Sequence, residues 1–127
     1  MNQSEYLDFH SQFCDKMKEI TRLKNSDYCG DTDNPFANLE LVEKIGACST
    51  EVGVVTRISD KLSRLLSFLK TGFLVVKDEK IEDTLLDMAN YIVLLAAVIS
   101  KKRKKDLTST FKSVNLKKAS EGKNDTL

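Results

Sequence analysis

Hydrophobic positions in this chain recur with a helical period almost from the first residue. Tyr6, Phe9, Phe13, Met17 and Ile20 fall three or four residues apart, and Leu23 extends the row. That spacing lines one face of a 3.6-residue helix and predicts a first helix over residues 4–24, with Ser4 as its cap. Residues 25–38 break the pattern. Asn, Asp, Gly and the only proline cluster there, with Tyr28 and Phe36 as possible aromatic anchors, and such composition is loop chemistry. A connection this long inside a bundle predicts a functional segment or one that wraps the helices. Asn38 is placed to cap a short helix from Leu39 to about Gly46, with Leu39, Val42 and Ile45 as its apolar edge. Ser49 or Thr50 then starts a third helix running to about Lys70. Its seam is Val55, Ile58, Leu62, Leu65 and Leu69, and Glu51 projects onto the same face; Thr71 and Gly72 end it. A last long helix starts near Asp78 or Glu79 and reaches about Lys104.

Composition supports this reading. The chain has 127 residues, with one Pro, five Gly and no Trp. So few breakers argue against a sandwich or barrel, which needs frequent turns. The expected architecture is all-α: a four- to five-helix bundle over residues 1–105. The net charge of +1 is uneven. From Lys101 onward nine residues are basic and three acidic, whereas the preceding body has eleven basic and sixteen acidic. Residues 106–127 therefore read as a flexible basic tail that suits an acidic partner. No unbroken apolar run reaches about 18 residues, so a membrane span is not expected. The amino-terminal residues lack the apolar core of a secretory signal. Cys14, Cys29 and Cys48 are widely spaced and odd in number, which fits reduced thiols and a cytoplasmic chain better than a zinc site or a disulfide framework.

The last helix carries the informative chemistry. From Leu85 to Ile99 nearly every residue is apolar, the strongly polar exceptions being Asp87 and Asn90. Steps of four, four and three align Glu79, Asp83, Asp87 and Asn90 along one stripe. Carboxylates in apolar surroundings are costly unless something offsets their charge. Three arrangements would do so: a divalent cation such as Mg²⁺, cationic partners from a neighbouring helix, or plain solvent on an outer face. For Glu79 an acid at a helix start is favoured in any case. Cationic partners exist on the third helix, where Arg57, Lys61 and Arg64 share a face with Asp60. The same row also reads as an ordinary solvated, salt-bridged surface. Other chemistries lack parts: a single His, no GxSxG, no Cys–His pairing, no GxxxxGK[ST] and no glycine-rich dinucleotide fingerprint.

The strings KNSDYCG, VTRISDKLSRLLSFLK and VVKDEKIEDTLLDMANY, in that order, resemble the nucleotide modification associated domain 1 family of phages and bacteria. That family looks related to the all-α nucleoside triphosphate pyrophosphatases, the MazG and dimeric dUTPase group. The resemblance covers about residues 20–100. It implies a bundle whose acidic residues hold Mg²⁺ and activate water to cleave a nucleotide between its α- and β-phosphates. It also implies a homodimer or homotetramer. The group's late acidic motif would fall on Asp83 and Asp87. Its early ExxE has no counterpart on the third helix; Glu40 and Glu43 have that spacing on the short helix before it.

The expected function is thus Mg²⁺-dependent nucleotide binding, with pyrophosphohydrolysis of a (deoxy)nucleoside triphosphate. Asp83 and Asp87 are the expected metal ligands, with Asp60 and Glu79 beside them. Arg57, Lys61 and Arg64 would steady phosphate charge. Lys24, Asp27 and Tyr28 would contact the nucleotide, and Asn90 would read a base or orient a carboxylate. The rival is a non-catalytic helical protein that sequesters a nucleotide or blocks a partner, and the missing early ExxE favours it.

Overall fold

The computed structural model describes residues 1–28, 33–76, 80–104 and 115–120, with Tyr28 described by its backbone alone. Among the described residues there are helices and no strand. The long elements are α1 (Gln3–Tyr28), α2 (Ala37–Lys44), α3 (Thr50–Thr71) and α4 (Ile81–Lys102). Residues 115–120 form one further short helix. The chain divides into two compact units, Met1–Leu95 and Ala96–Leu127. In the first, Leu39, Val54 and Leu86 are buried together with Thr50 and Thr84; in the second, Val98 is buried. Most of the tail expected over 106–127 lies outside the described residues.

Each helix end has a local cause. At α1 the cap is Asn2, not Ser4. The Glu5 amide donates to Asn2 Oδ1 (2.9 Å), and the Asn2 amide donates back to Glu5 Oε2 (2.7 Å). This reciprocal box satisfies two orphan amides at once. The far end of α1 also departs from expectation. Asn25 to Tyr28 continue the helix although their composition is that of a loop, so Lys24, Asn25 and Asp27 ride on a helical turn. α2 begins two residues before the expected Leu39. Asn38 is not its cap; Asn34 instead accepts from the Phe36 amide (3.0 Å) and donates to Glu40 Oε1 (3.1 Å). Ser49 caps α3 through the Val52 amide (3.2 Å), as its position predicts. Gly72 ends α3 with a φ of 80°, a left-handed geometry that glycine adopts without a Cβ penalty.

α2 and α3 pack closely because of two features. A Cβ on Gly53 would stand 2.8 Å from Val42 Cγ2, so only glycine admits this approach. Beside it, the buried Thr50 hydroxyl donates to Glu43 Oε2 (2.6 Å). Glu40 and Glu43, which have the spacing of an early metal motif, are thus bonded to Asn34 and Thr50.

α4 is apolar on most of its circumference. By length and composition alone it is long and apolar enough to cross a membrane, although no unbroken apolar run in the sequence reaches that length. The reason is that its charged residues gather at the two ends and only Asp87 lies between Leu85 and Ile99, so the average stays high.

Candidate functional site

The polar stripe of α4 is where the first unit gathers its charge. Thr21 and Lys24 lie three residues apart on α1, and Asp87 and Asn90 three apart on α4, so each pair presents two side chains on one face. They meet rung to rung. Thr21 Oγ1 donates to Asn90 Oδ1 (3.1 Å), and Lys24 Nζ donates to Asp87 Oδ1 (3.2 Å). From α3, Lys61 Nζ lies 3.0 Å from Asp87 Oδ2. One carboxylate therefore ties three helices together, with each of its oxygens facing an ammonium group. Its side chain is only 23% exposed. Burial works to raise the Asp87 carboxyl, but hydrogen bonds and charge from Lys61 and Lys24 outweigh it and hold the group below the usual carboxylate range.

Two adjoining hollows open here. The first, of about 80 Å³, is walled by Lys24, Asn25, Asn38, Arg57, Asp87 and Asn90, with Tyr91 and apolar residues between them. The buried Asn90 Nδ2 has no hydrogen-bond partner, so a donor stands ready in its wall. The second, of about 210 Å³, is lined by Arg57, Asp60, Lys61, Arg64 and Tyr91. Arg57 and Tyr91 belong to both. Around the pair, Lys24, Arg57, Lys61 and Arg64 face Asp60 and Asp87, an excess of positive charge. Such a site attracts an anion, and fixed cations in a partly enclosed hollow act more strongly than in open water.

The structure gathers part of the expected set. Lys24, Arg57, Lys61, Arg64, Asp60, Asp87 and Asn90 line the hollows. Asp83 is exposed one turn before Asp87 and lines neither, and Asp27 is exposed near the end of α1. Glu79 and the Tyr28 side chain lie outside the described residues. Of the three arrangements that would compensate the acidic stripe, cationic partners are the one found at Asp87. As these side chains stand, each Asp87 oxygen faces an ammonium group, so a cation bound there would have to displace Lys24 or Lys61. A Mg²⁺ carried by a polyphosphate asks for only one or two carboxylates. Of the seam expected on α3, Ile58 and Leu65 are half-buried but Val55, Leu62 and Leu69 are exposed, so the buried side of the helix is turned towards Val54 instead; Glu51 is half-buried.

Sequence reasoning passed over Asn25, Asn38 and Tyr91. Tyr91 was detectable, because it follows Asp87 by four residues and so shares its face. The two asparagines were not, because they come from elements whose packing the periodicity does not reveal. A Cys–His pair not expected from the sequence is present: Cys14 Sγ lies 3.7 Å from His10 Nδ1 on one exposed turn of α1. It borders neither hollow. Among the described residues Cys14 and Cys48 are free thiols.

No protein-family model, no curated protein and no solved structure matches this chain.

Proposed function

We propose that the paired hollows bind a nucleotide and that the protein hydrolyses a (deoxy)nucleoside triphosphate to a monophosphate and pyrophosphate with Mg²⁺. The observation that supports this reading is the cluster of four cations around two carboxylates, joined to a smaller hollow with amide walls. Phosphate groups belong with Arg57, Lys61 and Arg64, where positioned cations steady the charge of phosphoryl chemistry. The smaller hollow offers Asn25, Asn38 and the uncommitted Asn90 Nδ2 to the carbonyls and amines of a base or to a sugar. A polyphosphate carries more charge than one carboxylate and competes with Asp87 for Lys24 and Lys61. Asp87, and Asp83 one turn earlier, are the residues that would hold the Mg²⁺ of a magnesium–triphosphate. When bound, that ion polarises the phosphate and lowers the pKa of its water. The basic residues from Lys101 onward suit an acidic partner.

The second reading is binding without turnover. The engagement of Asp87 with two lysines, and of Glu40 and Glu43 with Asn34 and Thr50, favours it. Calorimetry with a panel of nucleoside triphosphates, with and without Mg²⁺, combined with a pyrophosphate-release assay, separates the two. Binding with release that Asp83→Asn and Asp87→Asn abolish supports hydrolysis. Binding without release selects the second reading. A wild-type chain that binds no nucleotide defeats both.

A further inference from the structure

A third hollow, of about 330 Å³, adjoins the second and is larger than either of the other two. It follows from how α3 ends. Gly72 takes a left-handed φ of 80°, and the Thr71 hydroxyl lies 2.9 Å from the Ser67 carbonyl and 3.0 Å from that of Phe73, bridging the helix to the turn. The chain then comes back beside the helix it has just left, so that Phe73, Leu74, Val75 and Val76 share a hollow with Asp60, Ser63, Arg64 and Ser67. The four helical positions step by three, one and three and lie on one face. The two sets of side chains differ in kind. The helix offers a carboxylate, two hydroxyls and a guanidinium; the returning segment offers a ring and three aliphatic groups, with Phe73 62% and Val75 88% exposed.

This hollow is continuous with the cation cluster. Asp60 and Arg64 line both it and the second hollow, and Arg57 joins the second to the first. The order along α3 is therefore a hollow with amide walls, a cluster of cations, and a hollow that is polar on the helix side and apolar on the other. From Arg57 to Ser67 the row runs for about 15 Å of helix. A nucleoside triphosphate has one organic end. With its phosphates on the cations it fills the first two hollows and leaves the third to water.

We infer that the third hollow takes a second nucleoside, joined to the far end of the phosphate chain, and that the ligand class is the dinucleoside polyphosphates. This rests on the nucleotide reading and narrows it. The wall chemistry selects the occupant. A base has apolar faces and a polar edge, and stacking on an aromatic ring accepts any base. Phe73 supplies such a ring, already standing in water, while Asp60 and the Ser63 and Ser67 hydroxyls supply acceptors and donors for the edge. A hydrocarbon group would cover those polar side chains without pairing them. A sugar alone has hydroxyls for the helix side but no flat face for Phe73. Asp60 also favours a capped chain: an unesterified terminal phosphate brings an extra negative charge towards that carboxylate, and a nucleoside cap removes it.

Calorimetry on the full chain, with and without Mg²⁺, tests this by comparing diadenosine tetraphosphate with the terminal methyl ester of adenosine tetraphosphate. The two carry the same phosphates and the same charge, and differ only in whether a nucleoside or a methyl group closes the chain. The wild type is expected to bind the dinucleoside about tenfold more tightly. Phe73→Ala is expected to remove that advantage and Phe73→Trp to keep it. Ser67→Leu, which intrudes from the helix side, is expected to remove it with the ring intact. Affinity for the methyl ester and the helical circular dichroism should be unchanged in all three, since Ser67 and Phe73 are exposed. Equal affinities in the wild type overturn the inference and leave the nucleotide reading standing. An advantage that survives both Phe73→Ala and Ser67→Leu also overturns it, because the second nucleoside then binds elsewhere. Binding of neither compound, with or without Mg²⁺, defeats the nucleotide reading and this inference together.

Discussion

Lys61 on α3 and Asp87 on α4 lie with Nζ and Oδ2 3.0 Å apart, and the other oxygen of the same carboxylate takes Lys24 from α1 at 3.2 Å. The ion pair is thus shared, partly buried and central to how three helices are held. Asp87 is more than a surface charge, and its protonation has a consequence for the fold.

The Asp87 carboxyl titrates below its ordinary range in the folded protein, so it adds stability that is complete above the unfolded value of about 4 and lost as pH falls through the folded value. Asp87→Asn removes that contribution, costing about 1–2 kcal/mol near neutrality. Thermal melts from about pH 7 to pH 3 should show the wild type and the variant converging in acid. Parallel curves across the whole range would contradict the assignment.

Glu43→Ala leaves the buried Thr50 hydroxyl without its acceptor. The expected loss is about 1–3 kcal/mol of stability in urea titration. Nucleotide affinity, measured well below the melting temperature, should be nearly unchanged. An affinity loss with no loss of stability would instead return Glu43 to the binding site.

Gly53→Ala gains helix propensity of about 1 kcal/mol but forces a methyl against Val42, a β-branched side chain with little rotamer freedom. Overpacking costs about 1–3 kcal/mol, so a net destabilisation is expected. In the Val42→Ala background the same substitution should become stabilising. A four-member mutant cycle by chemical denaturation measures that reversal of sign.

Arg57 lines both hollows, so Arg57→Gln should weaken nucleotide binding about tenfold or more, equivalent to about 1.4 kcal/mol. The melting temperature should hardly move, because among the described residues no hydrogen bond or ion pair rests on this guanidinium. Calorimetry at two ionic strengths checks it: the variant should also lose part of the salt dependence that the wild type shows.

Much of the fold is legible in the chain itself, and the reason is local. Helical periodicity, the Ser49 cap and the Gly72 stop are each settled within a turn or two of sequence, so α3 falls almost where its residues put it. The departures have equally local explanations that residue type alone obscures. Asn2 with Glu5 makes a better cap than Ser4, and Asn25 to Tyr28 stay helical although their composition reads as a loop. Only tertiary packing decided what compensates Asp87. Lys24 is 63 residues away in the chain, and an acidic stripe on an apolar helix, read from sequence first as a Mg²⁺ site, is also compatible with cationic partners or solvent. Packing likewise committed Glu40 and Glu43 to Asn34 and Thr50, and it turned one apolar face of α3 inward while leaving the other bare. Periodicity shows that a face is apolar; which neighbour covers it depends on how helices distant in sequence approach one another.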